Sequence, residues 1–592
     1  MAPPYEPEPF LFGPDEPICP YTGLRTFTEE EAIYFRGRET HVEKCLALLS
    51  EKRFVMITGA SGDGKSSLVF AGLVPEVRSG FLRGRYSNWA VATFRPERSP
   101  LRNMAQALAT TLQLEGSAAA VETELGQGFS SLVQLYQASS LCPPAELPAS
   151  LPVAEQRQHQ LQAANLLLIV DQFEEFFTNP ENYSGDEPNT AAQTVVNLLL
   201  ETTRLAQAEN LPIYIVCTMR SDFVGQCAEF QGLIEQIGTS QYFVPRLLRH
   251  EFVEVIKEPA LLSGNRISER LVQRLLYDIR YGQDQLPVLQ HALRRIWLAA
   301  DQGREEMDLI HYAMVGGLSD ELPLADQARF EQWRASLSSQ QQEFLLMSPS
   351  LRNVLDAHAN QLYYEANDRY NQAFQPALPL GMAERVIEQT FRVLTRTDGQ
   401  RVVRNRLTGA EITAILNDEA LPWPVVCRIL RPFRQPGTTF LSPFISEDED
   451  DSAVLPPEAV LDITHESLIR NWGHLAQWAS QEAEDVRIAQ DFIQQANRWQ
   501  ANDENTGFLL PIGPYTYFSA WNRRKNDNAS WLAHYVDTGV DSGNRPHLPI
   551  NDQLYAEFGG EQVLQHFGWS GGARIHAMIG ELFGHALRKD RI

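Results

Sequence analysis

The sequence predicts a multidomain chain of class α/β plus α. A parallel sheet with crossover helices comes first, followed by a small helical domain, a winged-helix domain and a C-terminal helical region. Three observations predict it. Apolar strand-like runs alternate with helical patterns as far as residue 245, which implies parallel pairing with right-handed crossovers. A glycine-rich octet lies between the first such run and a helix. Three helical patterns followed by two short strands occupy residues 374–475. At 592 residues the chain exceeds one core, and typical domain sizes suggest about four.

The octet Gly59-Ala-Ser-Gly-Asp-Gly-Lys-Ser66 satisfies G-x-x-x-x-G-K-[ST]. Arg53–Thr58 reads as the buried strand before it and Ser67–Val74 as an amphipathic helix after it. In such a P-loop, consecutive backbone N–H groups and the positive end of a helix converge on a polyphosphate. Gly59 and Gly64 are expected to supply the unusual backbone angles, with Gly62 and Ser67 completing the loop. Lys65 would carry the charge for the β- and γ-phosphates, and Ser66 a hydroxyl for Mg²⁺. The cofactors expected are ATP or ADP with Mg²⁺.

Three more strands follow: Trp89–Phe94, Asn165–Asp171 and Pro212–Arg220, the last after a helix over 190–208. Asp171 ends an apolar run and is the expected outer-sphere Mg²⁺ partner. Gln172 stands next to it, and either Glu174 or Glu175 could orient an attacking water, with Glu174 the preferred one; an acidic helix start explains the pair equally well. Thr218 and Arg220 close the last strand at the sheet's C-terminal edge, where ligands bind. There an arginine can reach a γ-phosphate, or serve as a salt-bridge partner. The Ala-, Gln- and Pro-rich stretch from about 115 to 160 reads as an insertion.

Bulk properties exclude several classes. A formal net charge of −25 argues against nucleic acid as a partner, since phosphate backbones are held by clustered Lys and Arg. The six cysteines show no C-x-x-C pair, so neither a zinc module nor a disulfide framework is expected. No apolar run approaches the roughly 18 residues of a membrane span, and the acidic, proline-rich start is unlike a signal peptide. A cytoplasmic protein without internal repeats is expected.

In the second half, Met382–Val393 is helical in pattern, Thr408-Gly-Ala-Glu411 is a capping box opening a helix to Leu416, and Trp423–Phe433 is a third helix. Thr438–Pro443 and Ala459–Ile463 are expected to pair as a hairpin around the acidic loop Ser446–Ser452. Such a module can read DNA, but an acidic wing argues against it.

With Phe35-Arg-Gly-Arg-Glu39, the Gly59 octet, Val170-Asp-Gln-Phe-Glu-Glu-Phe-Phe177 and Thr218-Met-Arg-Ser-Asp-Phe223 in order, the chain resembles the novel STAND NTPase family, type 1, of signal-transduction ATPases. The resemblance implies that Gly37 and Arg38 lie on the base side; read alone, the segment is a charged turn before a helix. It also implies that Pro287, in Gly282–Leu293, packs on the base or sugar, although proline in a first helical turn is structurally ordinary. Leu461–Trp472 resembles the family's Thr-His-Glu segment, which implies that His465 touches the β-phosphate of ADP and holds a closed state. A histidine satisfied by its own helix is the plain alternative.

The expected layout is an N-terminal tail (1–19), the P-loop NTPase domain (20–245), a small helical domain (246–300), a helical connector (301–373), the winged helix (374–475) and a C-terminal helical region (476–592) without assignable chemistry. The aromatic run ending at Trp521 reads as a small core. The function expected is an ATP/ADP-controlled switch with weak ATPase activity, self-associating in the ATP state, in signalling or defence. Because neither end has room for a propeller, an unknown sensor or effector polypeptide is the expected partner, unless residues 476–592 serve. A continuously cycling ring-forming ATPase and a non-hydrolysing scaffold remain open.

Overall fold

Five strands carry the first half of the molecule: β1 (Phe54–Gly59), β2 (Asn88–Phe94), β3 (Ala164–Val170), β4 (Ile213–Arg220) and β5 (Gln241–Phe243). They form one sheet in the order β2-β3-β4-β1-β5, every pair parallel. Each of the four expected strands is present within a residue or two, and β5 is an addition too short to show in the sequence. All seven residues of β3 are buried, because helices cover both faces and leave no alternation to read.

The computed structural model describes residues 17–502 with Trp521, Trp531 and Tyr535, except 115, 144–160, 185–186, 280–283, 318–321, 347–349, 399–400 and 446–452. Gly282, the acidic loop Ser446–Ser452, most of the tail 1–19 and of the insertion's second half, the aromatic run apart from Trp521, and residues 536–592 therefore lie outside the described residues. The chain forms two compact units, Met1–Leu355 and Asp356–Ile592. Their division falls inside the segment expected as a connector.

In the first unit, α1 (Glu39–Lys52) precedes β1. The helix after the glycine loop is not the amphipathic α-helix expected. Lys65–Ser67 is α-helical, Leu68–Leu73 is π-helical and Val74–Arg78 is α-helical again, and Leu68, Val69, Ala71, Gly72, Leu73 and Val74 are all buried. Its packing explains this: a Cβ on Gly72 would stand 2.7 Å from Val42 Cγ2 of α1 and 3.2 Å from Phe35. A helix covered on several sides has no wet face. The helix α2 (Thr190–Ala208) begins at Asn189, whose side chain accepts from the Ala192 N–H.

Beyond β5 come α3 (Arg249–Leu262), α4 (Glu269–Asp278) and α5 (Gln285–Ala299). The segment before α1 ties these helices to the P-loop region. Tyr21 donates its hydroxyl to Ile256 O at 2.8 Å, Arg294 donates to Tyr21 O at 2.8 Å, and the Phe27 N–H donates to Ser67 Oγ at 3.2 Å.

The second unit contains the winged helix. Its helices are Met382–Val393, Gly409–Leu416 and Trp423–Arg434. Thr408 accepts from the Glu411 N–H and Glu411 reaches back to the Thr408 N–H, the reciprocal bonds of a capping box. Leu441–Ser442 pairs antiparallel with Val460–Ile463 as expected, and Leu407–Thr408 adds a third strand on the other side. A separate hairpin, Thr395–Asp398 with Arg401–Arg404, was not expected. The helix Gly473–Ala501 follows.

Candidate functional site

The glycine loop opens at the C-terminal end of β1, and its unusual angles fall at Gly62 and Gly64, with φ of 84° and 81°. This corrects the expectation for Gly59, which ends β1 without a positive φ. Gly59 is small for another reason: a Cβ there would lie 3.3 Å from Asp63 Oδ2 and 3.4 Å from Val244 Cβ. The loop is closed by Asp63, whose Oδ2 accepts from the Ala60 N–H at 2.8 Å. Lys65 folds back over the loop and donates to Gly59 O at 3.2 Å and Ala60 O at 2.8 Å. Burial depresses its ammonium pKa, while Glu174, Asp63 and Asp171 pull it back up.

Asp171 stands directly after β3 and is 1% exposed, yet its carboxyl is held below the usual range. Arg95 and the hydroxyls of Ser66 and Thr218 outweigh the cost of burial. Ser66 Oγ donates to Oδ1 at 2.7 Å and Thr218 Oγ1 donates to the same atom at 2.8 Å. Arg95 donates to Oδ2 through Nε at 3.0 Å and an Nη at 2.9 Å. Thr218 Oγ1 also accepts from the Gln172 N–H at 2.9 Å, which holds Gln172 at φ 59°. The expected Ser66 and Asp171 pair is thus assembled from residues 105 apart.

Glu174 and Glu175 diverge. The Glu174 Oε2 accepts from the Arg220 N–H at 3.2 Å. Desolvation pushes its carboxyl above the ordinary range against the pull of Lys65 and Arg220. Glu175 is buried, and its Oε2 accepts from the Glu97 N–H at 3.0 Å, so that carboxylate supports the loop after β2. Arg220 ends β4 with its guanidinium 2.9 Å from Asp222 and over the Phe223 ring. The edge therefore brings together Lys65, Ser66, Asp171, Glu174 and Arg220. Ser67 turns its hydroxyl to Phe27 instead.

Beside the loop lies a shallow cleft, partly open to solvent, lined by Arg38, Gly62 and Asp63, by Arg246, Leu247 and Phe252, and by Gln285 and Leu286 of α5. Arg38 is anchored through Nη bonds to Pro245 O at 2.7 Å and Asp63 O at 3.1 Å. Gly37, at φ 77°, packs on α3, where a Cβ would come 2.8 Å from Glu251 O. Pro287 is the third residue of α5 and follows the two that line the cleft.

Arg95 and Asp63 were missed in the sequence. The signal for Arg95 was available: it follows β2 directly, at the same edge as Asp171 and Arg220.

A model of the family described as Novel STAND NTPase 1 matches residues 20–507. The chain belongs to that family. This novel STAND NTPase 1 protein is accordingly a P-loop NTPase with the α/β plus α fold described above. No curated protein matches it. Among solved structures, the Cdc6p protein of Pyrobaculum aerophilum is similar at 12% identity and TM-score 0.32, over 75% of this chain and 94% of that one. The Aeropyrum pernix ORC1 protein, solved in complex with DNA, is similar at 14% identity and TM-score 0.32, over 76% and 93%. At such scores neither likeness bears on function. Among the described residues no helix is long and apolar enough to cross a membrane.

His465 of this novel STAND NTPase 1 protein caps the helix Glu466–Asn471: its Nδ1 accepts from the Ser467 N–H at 3.0 Å. An accepting Nδ1 places the proton of the neutral ring on Nε2. The imidazole thus has a structural task in its own unit, with a defined donor on the other side of the ring.

Proposed function

We propose that this novel STAND NTPase 1 protein is an ATP/ADP-controlled switch that binds Mg-ATP, hydrolyses it slowly and couples nucleotide state to opening and self-association in signalling or defence. One observation carries the reading: Lys65, the Ser66 and Asp171 pair, Glu174 and Arg220 converge on one sheet edge, beside a cleft that the P-loop shares with α5. The residues fit a magnesium nucleotide. Gly62 and Gly64 adopt angles that let backbone N–H groups face an anion, and Ser66 beside Asp171 is the hydroxyl and carboxylate pair that holds Mg²⁺ in P-loop proteins. Bound Mg²⁺ neutralises phosphate charge.

The chain's own residues would divide the remaining work. Lys65 exchanges its two carbonyl partners for phosphate oxygens. Glu174, kept high in pKa by its surroundings, orients water and accepts its proton. Gln172 stands where a faster enzyme would carry an acid, which supports slow turnover. Arg38 and α5, through Gln285, Leu286 and the neighbouring Pro287, hold the base side. The family resemblance gives His465 the role of a donor, through Nε2, that would engage the β-phosphate of ADP in a closed state, whereas Arg220 would respond to the γ-phosphate. Converting a mostly closed switch to a mostly open one takes roughly 5 kcal/mol of differential affinity. Two charge-assisted hydrogen bonds, at about 1.5–3 kcal/mol each, are of that size.

The test identifies the nucleotide that copurifies with the full chain, then measures assembly state by light scattering in ADP and in non-hydrolysable ATP. Copurified ADP, growth in mass only with the ATP analogue, and loss of both with Lys65→Ala are expected. Identical mass and exchange rate in the two nucleotides would leave a scaffold, and turnover above about one per second would make it a motor.

A further inference from the structure

Every acceptor position of Asp171 is occupied. A carboxylate offers about four lone-pair sites. Ser66 and Thr218 hydroxyls take those of Oδ1, and Arg95 Nε and Nη take those of Oδ2. The two oxygens differ in what a metal would require of them. Ser66 can ligate Mg²⁺ through its oxygen while still donating its proton to Oδ1. Metal-bound water, however, needs a vacant acceptor on the carboxylate, and Oδ2 is held by the two-pronged guanidinium.

We infer that Arg95 is a gate on the magnesium site: it neutralises Asp171 while the metal is absent and must leave Oδ2 for Mg²⁺ to be held, so that it sets the Mg²⁺ concentration at which nucleotide is gripped. This rests on the magnesium-nucleotide reading above. The local structure suits a side chain that moves on a fixed backbone. Asp171 is 1% exposed but the Arg95 side chain is 37% exposed, so the arginine can swing outward without unpacking the core. Its main chain is pinned, because Asn103 Nδ2 donates to Arg95 O at 3.0 Å and to Pro96 O at 3.2 Å. Two residues on, Glu97 is held at φ 48°. Its N–H donates to Glu175 at 3.0 Å, and its carbonyl accepts from Asn179 at 2.8 Å and Asn182 at 2.9 Å. A non-glycine residue in the left-handed region persists when its surroundings over-determine it. Glu175 is therefore a positioning residue for the Arg95 loop.

Charge supplies the thermodynamic reason. Among the described residues Arg95 is the guanidinium bonded to this buried carboxylate, and its removal strips away most of the compensation of the negative charge, which a nearby dication replaces more than fully. The arginine and the metal thus compete for one carboxylate, and each excludes the other from Oδ2.

The experiment titrates Mg²⁺ against a fluorescent ADP bound to the full chain, starting from excess chelator, for the unaltered protein, Arg95→Gln and Arg95→Lys. The Mg²⁺ midpoint is expected to fall about tenfold in Arg95→Gln and about threefold in Arg95→Lys, which keeps the charge but loses the fork. Thermal melting provides the second readout: Arg95→Gln should melt lower than the parent in chelator and match it in saturating Mg-ADP. If Arg95→Gln does not fold, the Arg95→Lys midpoint decides. An unchanged or raised midpoint, or an equal melting deficit with and without Mg-ADP, would make the pair purely structural and overturn the gate. Absence of any Mg²⁺ dependence in the unaltered protein would instead overturn the nucleotide reading on which the gate stands.

Discussion

Two buried aspartates, one in each unit, use the same acid and arginine chemistry to different ends. Asp171 is bonded by Ser66, Arg95 and Thr218, groups from three separate stretches of the chain that meet only at the sheet edge. Asp462 lies in the winged-helix strand Val460–Ile463 and is bonded through Oδ2 by Arg404 at 3.0 Å and Arg406 at 2.9 Å, both from one neighbouring segment. Its other oxygen, Oδ1, is buried and makes no hydrogen bond among the described residues. A carboxylate under two guanidiniums carries surplus positive charge and serves as a brace. A carboxylate with one guanidinium and two hydroxyls is balanced closely enough for a cation to displace the arginine.

The largest effect that separates the two is on stability. Asp462→Ala removes a buried carboxylate that two arginines share and should cost the second unit about 3 kcal/mol, read as a lower denaturant midpoint, while ADP affinity in the folded protein stays as in the parent. If nucleotide affinity fell in step with stability, Asp462 would belong with Asp171 and the comparison would break.

A second prediction uses pH to hold the aspartates apart from a third buried group. His291 in α5 is fully buried near Arg294 and Arg295, and its pKa is pushed down from 6.5 to about 3. A histidine neutral in the fold but protonated when unfolded stabilises fully above pH 6.5. That contribution is lost as pH falls from 6.5 towards the folded value, by about 1.4 kcal/mol per unit. Asp171, whose pKa is lowered, contributes above the unfolded carboxylate value and loses that contribution only in stronger acid. Between pH 6.5 and 4.5 the first unit should therefore lose about 2–3 kcal/mol, and His291→Gln should flatten that slope. A slope unchanged by the substitution would return the pH dependence to the carboxylates.

The smallest effect concerns local structure. Thr408→Ala removes the cap of Gly409–Leu416 and should cost about 1 kcal/mol, visible in the melting of the second unit with Mg²⁺-dependent ADP binding unaltered.

These contrasts follow how each region was written in the sequence. The winged helix was legible because its determinants are local. Thr408 and Glu411 are three residues apart, and His465 caps a helix that begins at the next residue. The sheet was legible for the same reason, since strands buried on both faces are continuous apolar runs. The two-residue strand Leu407–Thr408 and the three-residue β5 escaped, being too short to carry a pattern, and so did the hairpin of Thr395–Asp398 with Arg401–Arg404. The π-helical stretch Leu68–Leu73 escaped as well; its Gly72 is where Val42 and Phe35, distant in the chain, approach closely.

By itself the sequence determined the order of elements, the glycine loop with Lys65 and Ser66, and Asp171 as the acid at the end of its strand, because hydrophobic period, capping pairs and loop glycines act over a few residues. Tertiary structure alone decided that Glu175 turns to the Glu97 N–H while Glu174, the preferred of the two, faces the loop lysine, that Gly62 takes the left-handed angle expected of Gly59, and that Arg95 closes on Asp171 from 76 positions away. The direction of a side chain at a sheet edge is set by which neighbouring strand ends beside it, and that adjacency exists only after the strands have paired out of chain order.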